Sequence, residues 1–386
     1  MTATALHLDL PELSEAGEAL RRDVRAFVAE ERANGCLPPP SRIGLGFDIP
    51  TTRRIAAKGW IGLTWPERYG GQARTALERY VMNEELLAAA LPVGAHWVAD
   101  RQSGPVLLKF GTEEQKRFYL PRIAAGDCYF CIGMSEPESG SDLASLKARA
   151  EKVAGGWRIN GRKIWTTNAH RVHYMIALVR TSVVEGSRHA GLSQLIVDLK
   201  APGVSISPII SMAGEHDFNE VLLEDVFVAD EALIGREGNG WNQVSAELAY
   251  ERSGPERWLS SFRLLSELID VLDEGARPSS LEELGRLLSH LLALRQLSMS
   301  VASMIQQGKS PNVEASIVKD LGTKFEQEAV RVVRDIVSAE DLIGGGRAPR
   351  LRQLLAHAQV YAPAFTIRGG TNEILRGIIA RGIGLR

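Results

Sequence analysis

Residues 134–142 have the composition of a ligand-binding loop. They read Met134-Ser-Glu-Pro-Glu-Ser-Gly-Ser-Asp142. Small residues and glycine allow a backbone to approach a ligand closely, and free N–H and hydroxyl groups suit anionic or carbonyl oxygens. Taken alone, however, a loop rich in Ser, Gly and Asp is more often a simple turn.

A second segment, residues 157–168, combines aromatic rings with hydroxyl groups. It reads W-R-I-N-G-R-K-I-W-T-T-N, so that Trp165 is followed by Thr166 and Thr167. A lone tryptophan is usually a core residue. A rigid ring beside two hydroxyls is also what a flat heterocycle needs, because one face can stack and the edge can form hydrogen bonds.

The cysteine and histidine pairs indicate structural roles. Cys128 and Cys131 form one C-x-x-C, and His170 and His173 have the same spacing, but no further ligands follow at similar intervals. A structural zinc site needs four ligands. The cysteines lie in a strand-like run, where residues three apart point to opposite faces, which also disfavours a redox dithiol. We predict two buried structural cysteines and no metal site.

Three regions of different hydrophobic period must position these segments. Residues 1–128 and 237–386 show the apolar spacing of helices, whereas residues 129–236 contain short β-rich runs separated by polar or Gly/Pro breaks. The sequence therefore predicts an α+β multidomain chain. It would comprise an N-terminal all-α domain (1–128), a central antiparallel β-barrel or sandwich (129–236) and a C-terminal four-helix bundle (237–386).

Within the β region, Asn160-Gly161 separates two strand-like runs. This pair is a strong hairpin signal, because the tight turn requires positive φ angles. We therefore predict a hairpin turn at these residues. Arg162 and Lys163, which follow, are predicted to be solvated, since charged side chains are mostly found at the surface.

Composition and charge exclude several classes of function. Basic and acidic residues are nearly balanced, 45 against 47, for a formal net charge of −2. Without a basic run, nucleic acid is not expected as a partner. No window of the sequence contains about 18 consecutive apolar residues, the length needed to cross a membrane. Its first residues lack both the basic flank and the apolar stretch of a signal peptide. We expect a soluble, cytoplasmic protein with no membrane span.

Together, the two segments resemble the acyl-CoA dehydrogenase family. The S-E-P-x-x-G-S-D loop and the N-G-x-K-x-W-x-T-N strand pair occur here in the family's order. The resemblance covers nearly the whole chain, including GLTWPERYGG, GTEEQKRFYLP and IRGGTNEILRGIIAR. It implies an FAD-dependent enzyme that oxidises the α,β carbon–carbon bond of an acyl-CoA thioester and passes electrons to an electron-transfer flavoprotein.

The resemblance also implies the positions of the cofactor and the substrate. On the flavin it places Met134 and Ser135 at the pyrimidine side, Trp165 on the isoalloxazine, Thr167 at N5, and Thr371 and Glu373 by the phosphates. Ser141 would approach either the pyrophosphate or the thioester arm of the substrate. Arg252 and Gly369 would line the substrate side. A phosphate near Thr371 agrees with the anion preference of helix N-termini, but an unpaired Glu373 would oppose it.

The resemblance leaves one catalytic position vacant. Many members carry a catalytic glutamate two residues before the threonine of the GGT-like turn, and that position here is Gly369. Isovaleryl-type and long-chain-type relatives place the glutamate on a helix before an arginine, as Glu251 is placed before Arg252 here. We therefore predict that Glu251 removes the α-proton. The alternative is a solvated helix pair. Pro255 would loosen the helix next to it, because it lacks the N–H for the Glu251 carbonyl.

Two further motifs of the family are missing. Relatives carry R-x-F-G and Q-x-x-G-G-x-G segments, which complete the adenine end of the flavin site in a neighbouring subunit; the corresponding regions here are 276–292 and 335–349. Either a homo-oligomer or a heteromer with a second, related chain remains open. So do an oxygen-using oxidase and a flavin-poor structural or regulatory subunit. Acyl length, electron acceptor and pathway are left undetermined.

Overall fold

The chain runs from helices through a β region and back to helices, as the sequence predicts. The computed structural model describes residues 6, 8–36, 43–272, 276–339 and 348–385, and the side chains of residues 247–251 are outside that description. No helix in these described ranges is both long and apolar enough to cross a membrane.

The helices and strands have the following bounds. The helices are α1 (Glu15–Ala33), α2 (Ile49–Ala57), α3 (Ala76–Ala88), α4 (Gly94–Val98), α5 (Gly104–Phe110), α6 (Glu113–Ala124), α7 (Gly240–Glu251), α8 (Phe262–Ile269), α9 (Pro278–Gln306), α10 (Asn312–Ala339), α11 (Ala348–Tyr361) and α12 (Asn372–Gly382). The strands are β1 (Phe130–Gly133), β2 (Arg149–Val153), β3 (Gly156–Thr167), β4 (Tyr174–Arg180), β5 (Leu192–Asp198), β6 (Val204–Ile209) and β7 (Phe218–Ala229).

The chain forms two compact units, each assembled from separate segments. The first comprises Met1–Gly46, Arg74–Val93 and Glu251–Arg386, and the second comprises Phe47–Ala73 and Gly94–Tyr250. In the first unit, α10 packs against α9, α11 and α12, and α3 packs against α1 and α9. One apolar face of each long helix forms the core of this unit, with Leu287, Val318, Phe325, Val333 and Leu354 among its buried members.

The second unit contains a single seven-stranded sheet in the order β1-β4-β2-β3-β7-β6, with β5 paired to β4. The purely antiparallel arrangement that we expected is wrong in two places, because β1 pairs with β4 in parallel and β2 meets β4 through one parallel pair. The β2–β3 hairpin lies between β1 and β4 in the sequence, so the chain returns to β4 running in the direction of β1. Parallel neighbours require a longer crossover of this kind.

The Asn160-Gly161 pair is not a hairpin turn, because β3 runs without interruption from Gly156 to Thr167. The turn lies earlier, at Gly155, whose φ is +75°. At Asn160 the ladder is irregular, and the Asn160 amide exchanges two hydrogen bonds with Asp225 of β7, of 3.0 and 2.9 Å. The Asn160-Gly161 pair therefore marks a bulge within a continuous strand, whereas we predicted a hairpin turn.

Gly155 and Gly161 both have positive φ, +75° and +154°, so alanine at either position strains the backbone and only Gly161→Ala adds steric crowding. A Cβ on Gly155 would have nothing within 4 Å, whereas a Cβ on Gly161 would lie 2.4 Å from the Cβ of Ala148. We expect Gly155→Ala to lower the free energy of unfolding by about 1 kcal/mol, through its φ alone. Gly161→Ala should cost roughly 1–3 kcal/mol more, because the neighbouring chain must shift. Urea denaturation of both variants would measure this; equal losses would contradict the close contact.

Candidate functional site

Strand β3 carries the aromatic segment, and a bulge near its end decides which way Trp165 faces. Lys163 pairs with Val221 and Thr166 with Asn219, so a step of three residues in β3 matches a step of two in β7. Strict alternation would place Trp165 on the same face as Lys163. The extra residue reverses the alternation, so that Lys163 is fully buried while Trp165 is 56% exposed. The bulge thus turns the indole outward.

Trp165 also has a strained backbone on a rigid frame. Its φ is +59°, in the left-handed region that bulky residues rarely adopt. Such conformations cost about 1–3 kcal/mol and are concentrated at ligand sites. The buried Asn219 amide donates to the Thr166 carbonyl at 3.0 Å, and the indole meets Phe218 edge-on, with centroids 5.9 Å apart. Thr167, the next predicted contact, is exposed as well.

The loop of residues 134–142 lies directly beside this end of β3. The Ile164 N–H donates to the Ser135 carbonyl at 2.9 Å, and Lys163 Nζ donates to the Met134 carbonyl at 3.2 Å. Met134 also packs on a small apolar cluster around Leu178. The structure therefore brings Met134 and Ser135 next to the strand end that presents the indole.

Lys163 is not solvated, and the expectation that it would be was wrong. Its Nζ lies 2.9 Å from Glu136 Oε1, with the two side chains 0% and 7% exposed. Burial lowers the pKa of Lys163, and the charge of Glu136 opposes that shift. Lys163 is in phase with the buried Trp157 and Ile159 of the same strand. That period of two in the sequence was the signal for an inward side chain. Arg162 is exposed, as predicted.

Ser141 lies in the exposed part of the same loop. The loop folds back on itself, since the Ser139 hydroxyl donates to the Asp142 carbonyl at 2.9 Å. The Asp142 carboxylate lies 2.5 Å from the guanidinium of Arg188. The hydrogen bond from Arg188 lowers the pKa of Asp142, with a smaller contribution from Ser145. Ser141 is thus held at a surface where a polar ligand can reach it.

In the first unit, Thr371 and Glu373 lie at the start of α12. Thr371 caps the helix by accepting from the Ile374 N–H. The Glu373 carboxylate is held by its own backbone N–H and by Thr371, and these bonds lower its pKa. An acid is favoured at a helix N-terminus for the same electrostatic reason as a phosphate. A phosphate at this turn would therefore compete with Glu373.

A buried lysine that the sequence reasoning missed holds this turn. Lys319 Nζ donates to the Gly370 carbonyl at 2.7 Å, to Asn372 Oδ1 at 2.6 Å and to the Thr366 carbonyl at 3.3 Å. Lys319 is fully buried, one helical turn after the buried Ala315 of α10. That helical spacing was the signal available in the sequence.

Two arginines border the glycine pair that precedes Thr371. A Cβ on Gly369 would lie 2.6 Å from Nη2 of Arg257, and a Cβ on Gly370 would lie 3.6 Å from Nη2 of Arg252. Both arginines are buried. Arg252 and Gly369, the two predicted substrate contacts, are therefore in the same part of the first unit. A side chain at position 369, including a glutamate, requires Arg257 to move.

Glu251, the predicted base, is the last residue of α7, and its side chain is outside the described part of the structure. Pro255 begins a short 3-10 turn, Pro255–Arg257, after a break of three residues. The helix thus stops before Pro255 instead of continuing through it. The catalytic role of Glu251 stays a prediction.

The two cysteines are buried and unbridged, as the sequence predicts. Burial raises the pKa of Cys128 to about 12 and also raises the pKa of Cys131. Both are therefore thiols at neutral pH, and a thiol is a poor nucleophile and a poor metal ligand.

The two histidines of the H-x-x-H pair have separate structural partners. His170 stacks on His216 with ring centroids 3.7 Å apart, and both rings lie within hydrogen-bonding distance of Asn219 Oδ1. His173 Nδ1 accepts from the backbone N–H of Tyr129 at 3.1 Å. Across the described ranges, no group of three His, Cys, Asp or Glu side chains is arranged to hold a metal ion.

The residues of the second unit fit a flat ring with polar edges. Trp165 offers a face exposed on a strained, rigid backbone, and Ser135 and Thr167 supply hydroxyl and backbone groups nearby. An aromatic side chain exposed at such a cost in backbone energy is expected where a ligand covers it. The isoalloxazine contacts that the family resemblance implies stay a prediction.

Comparison with known proteins gives a consistent assignment. Three family profiles match: "Acyl-CoA dehydrogenase, N-terminal domain" at residues 14–127, "middle domain" at 131–226 and "C-terminal domain" at 238–384. The acyl-CoA dehydrogenase IpdE1 of Mycobacterium tuberculosis is 35% identical over 377 residues, covering 94% of this chain and 96% of that protein. Two similar structures are the steroid acyl-CoA dehydrogenase Tcur3481-Tcur3483 (TM-score 0.83, 31% identity, 96% and 97% coverage) and the ChsE4-ChsE5 complex of Mycobacterium tuberculosis (0.80, 30%, 97% and 98%).

Neutral His170 makes stability depend on pH. Burial lowers the pKa of His170, and the adjoining His216 lowers it further. The unfolded chain takes up a proton on His170 more readily than the folded chain. The contribution of neutral His170 to the free energy of unfolding is therefore complete above about pH 6.5 and is lost at lower pH. We expect the melting temperature to fall between pH 7.5 and 5.5, and His170→Gln to reduce that fall. The half-exposed His290 is the matched control; an equal effect of His290→Gln would contradict the assignment.

Proposed function

This chain belongs to the acyl-CoA dehydrogenase family, and we propose that it oxidises the α,β bond of an acyl-CoA thioester with FAD, using Glu251 as its base. Members of the family are flavoproteins. One observation carries the proposal: the Met134–Ser135 segment is hydrogen-bonded to the end of β3 that presents Trp165 and Thr167. The two predicted flavin segments thus form one rigid surface.

In the proposed reaction, each of the predicted site residues has a separate role. Trp165 would support one face of the ring system, Ser135 and Thr167 would bind its edge, and Ser141 would bind the pyrophosphate or the thioester arm. Arg252 would contact the substrate. Glu251 would take the α-proton, which is only weakly acidic, so a carboxylate whose pKa is raised by an apolar acyl chain is suited to the task. FAD, when bound, supplies the hydride acceptor for the β-carbon.

The position of the base rests on two observations. Position 369 is a glycine, which has no side chain to take the proton, and Nη2 of Arg257 would lie 2.6 Å from a Cβ there. Glu251 ends the helix that leads out of the second unit, next to the buried Arg252. A carboxylate at position 251 could take the α-proton, so the reaction does not require one at position 369.

Replacing Glu251 by glutamine tests the base directly. We expect Glu251→Gln to slow flavin reduction by about 100- to 10,000-fold, the usual contribution of a general base, with flavin binding unchanged. Anaerobic bleaching of the flavin absorbance with acyl-CoA thioesters measures the rate. Glu247→Gln, the same change one turn earlier on α7, is the control. Loss in Glu247→Gln with full activity in Glu251→Gln would move the base to Glu247.

We propose further that the chain works in a heteromer with a second, related chain. Two of its structural relatives are complexes of two named components, Tcur3481-Tcur3483 and ChsE4-ChsE5. The adenine-end motifs are missing from regions 276–292 and 335–349 of this chain, and residues 340–347 are outside the described structure. A partner that supplies those residues would complete the flavin site. An electron-transfer flavoprotein is the proposed acceptor.

Flavin occupancy tests the heteromer. We expect the chain purified alone to hold well under one FAD per chain, and co-expression with an acyl-CoA dehydrogenase-like chain encoded nearby to restore occupancy. The ratio of flavin absorbance to protein measures it. Full occupancy in a homo-oligomer would refute the requirement for a partner. A loaded complex that no thioester bleaches would favour the structural-subunit alternative, and hydrogen peroxide release in air would identify an oxidase.

A further inference from the structure

A buried ion pair joins the two segments of the proposed flavin surface. Lys163 is 0% and Glu136 7% exposed, and Nζ lies 2.9 Å from Oε1. Lys163 comes from the strand that ends in Trp165, and Glu136 follows directly after Met134 and Ser135. Among the residues that the structure describes, this is the one ion pair that joins the two segments.

Glu136 has several hydrogen-bond partners besides Lys163. Its Oε2 accepts from the Lys147 N–H at 2.6 Å, and its Oε1 accepts from the Ala148 N–H at 2.9 Å as well as from Lys163. Its backbone N–H and C=O also exchange hydrogen bonds with Ser139, of 2.9 and 3.1 Å. The carboxylate thus remains well bonded without the lysine.

Besides its ion pair with Glu136, Lys163 also contacts the backbone of the loop. Its Nζ donates to the Met134 carbonyl at 3.2 Å. That carbonyl and the Ser135 N–H belong to the same peptide group, so a cation on the oxygen withdraws electron density from the nitrogen and makes the N–H a stronger donor. On the other side, the Ser135 carbonyl accepts from the Ile164 N–H at 2.9 Å. The Met134–Ser135 peptide is both fixed and polarised.

Stability alone does not explain this arrangement. A buried ion pair is often no more stabilising than apolar side chains of the same volume, because two charges must be desolvated. The two side chains are 0% and 7% exposed, so burial disfavours both charges and lowers the pKa of Lys163. The burial of the Lys163 ammonium group, despite this desolvation cost, is better explained by its effect on the Met134–Ser135 peptide that it contacts.

We propose that Lys163 is a positioning residue that tunes the bound flavin, by holding and polarising the Met134–Ser135 peptide against the electron-rich edge of the ring. The inference rests on the proposed function for the presence of the flavin. Reduction adds negative charge to that edge, so a stronger Ser135 N–H donor and a nearby cation favour the reduced over the oxidised cofactor. Lys163 does not itself contact the reacting atoms.

Three variants separate tuning from structure. Lys163→Met removes the cation and keeps an unbranched side chain. Lys163→Gln also removes the cation but keeps an N–H donor for the Met134 carbonyl and for Glu136, so it should keep more of the melting temperature than Lys163→Met. Arg162→Met is the matched control, because it removes a cation from the adjacent, exposed position of the same strand.

The reduction potential is measured on the flavin-loaded protein or complex by dye-equilibrium titration. We expect Lys163→Met to weaken the preference for reduced flavin by about tenfold, a fall of about 30 mV for a two-electron couple. Lys163→Gln should show a similar fall despite its higher melting temperature, and Arg162→Met should show none. If the potential follows the melting temperature across the three variants, or does not move in Lys163→Met, the pair is only structural and the proposal is overturned.

Amide hydrogen exchange tests the same residue without flavin. In the apoprotein we expect Lys163→Met to speed exchange in residues 134–139 by about tenfold, while Arg162→Met leaves it unchanged. Unchanged exchange in Lys163→Met would overturn the proposal. If the native protein, alone or with a partner chain, takes up no flavin, the proposed function fails. The exchange result then still decides whether Lys163 restrains the peptide.

Discussion

The buried contact between Lys163 and Glu136 is the constraint on which the proposed flavin surface depends. It ties the loop of residues 134–142, which contains no helix or strand, to β3. Lys163 Nζ lies 2.9 Å from Glu136 Oε1 and 3.2 Å from the Met134 carbonyl oxygen. A loop cannot normally hold a backbone group within the few tenths of an ångström that ligand binding requires. Here two contacts transmit the rigidity of β3 to Met134 and Ser135: the Lys163 side chain, and the Ile164 N–H, which donates to the Ser135 carbonyl at 2.9 Å.

The same strand shows how strain is tolerated. Trp165 and Asp225 both have positive φ, at +59° and +52°, and each lies at an irregularity in the ladder between β3 and β7. Nearby amide side chains offset the cost. Asn219 bonds the Thr166 carbonyl, and Asn160 exchanges two bonds with Asp225. The bulges reverse the direction of the side chains without breaking the sheet.

The first unit uses a similar device at the turn before α12. Lys319 is buried and bonds the carbonyls of Gly370 and Thr366 and the side chain of Asn372. In both units a buried ammonium group thus holds a glycine- or serine-rich segment by its carbonyl oxygens. An ammonium group suits this task because it has three donors and no acceptor, so it can bind several carbonyls at once.

The order of helices and strands and the burial of the cysteines could be predicted from the sequence, because local period and composition encode them. The binding roles of residues 134–142 and 157–168 rest on the family resemblance and stay a prediction. The direction of Trp165 and the parallel pairing of β1 with β4 could not. The burial of Lys163 and Lys319 was indicated only by their phase in β3 and α10, against the usual exposure of charged side chains. Each depends on residues distant in the chain: Trp165 on the register of β7, Lys163 on Glu136, and Lys319 on the turn at Gly370. A charged side chain is read as exposed unless its partner is known, and only tertiary packing supplies the partner.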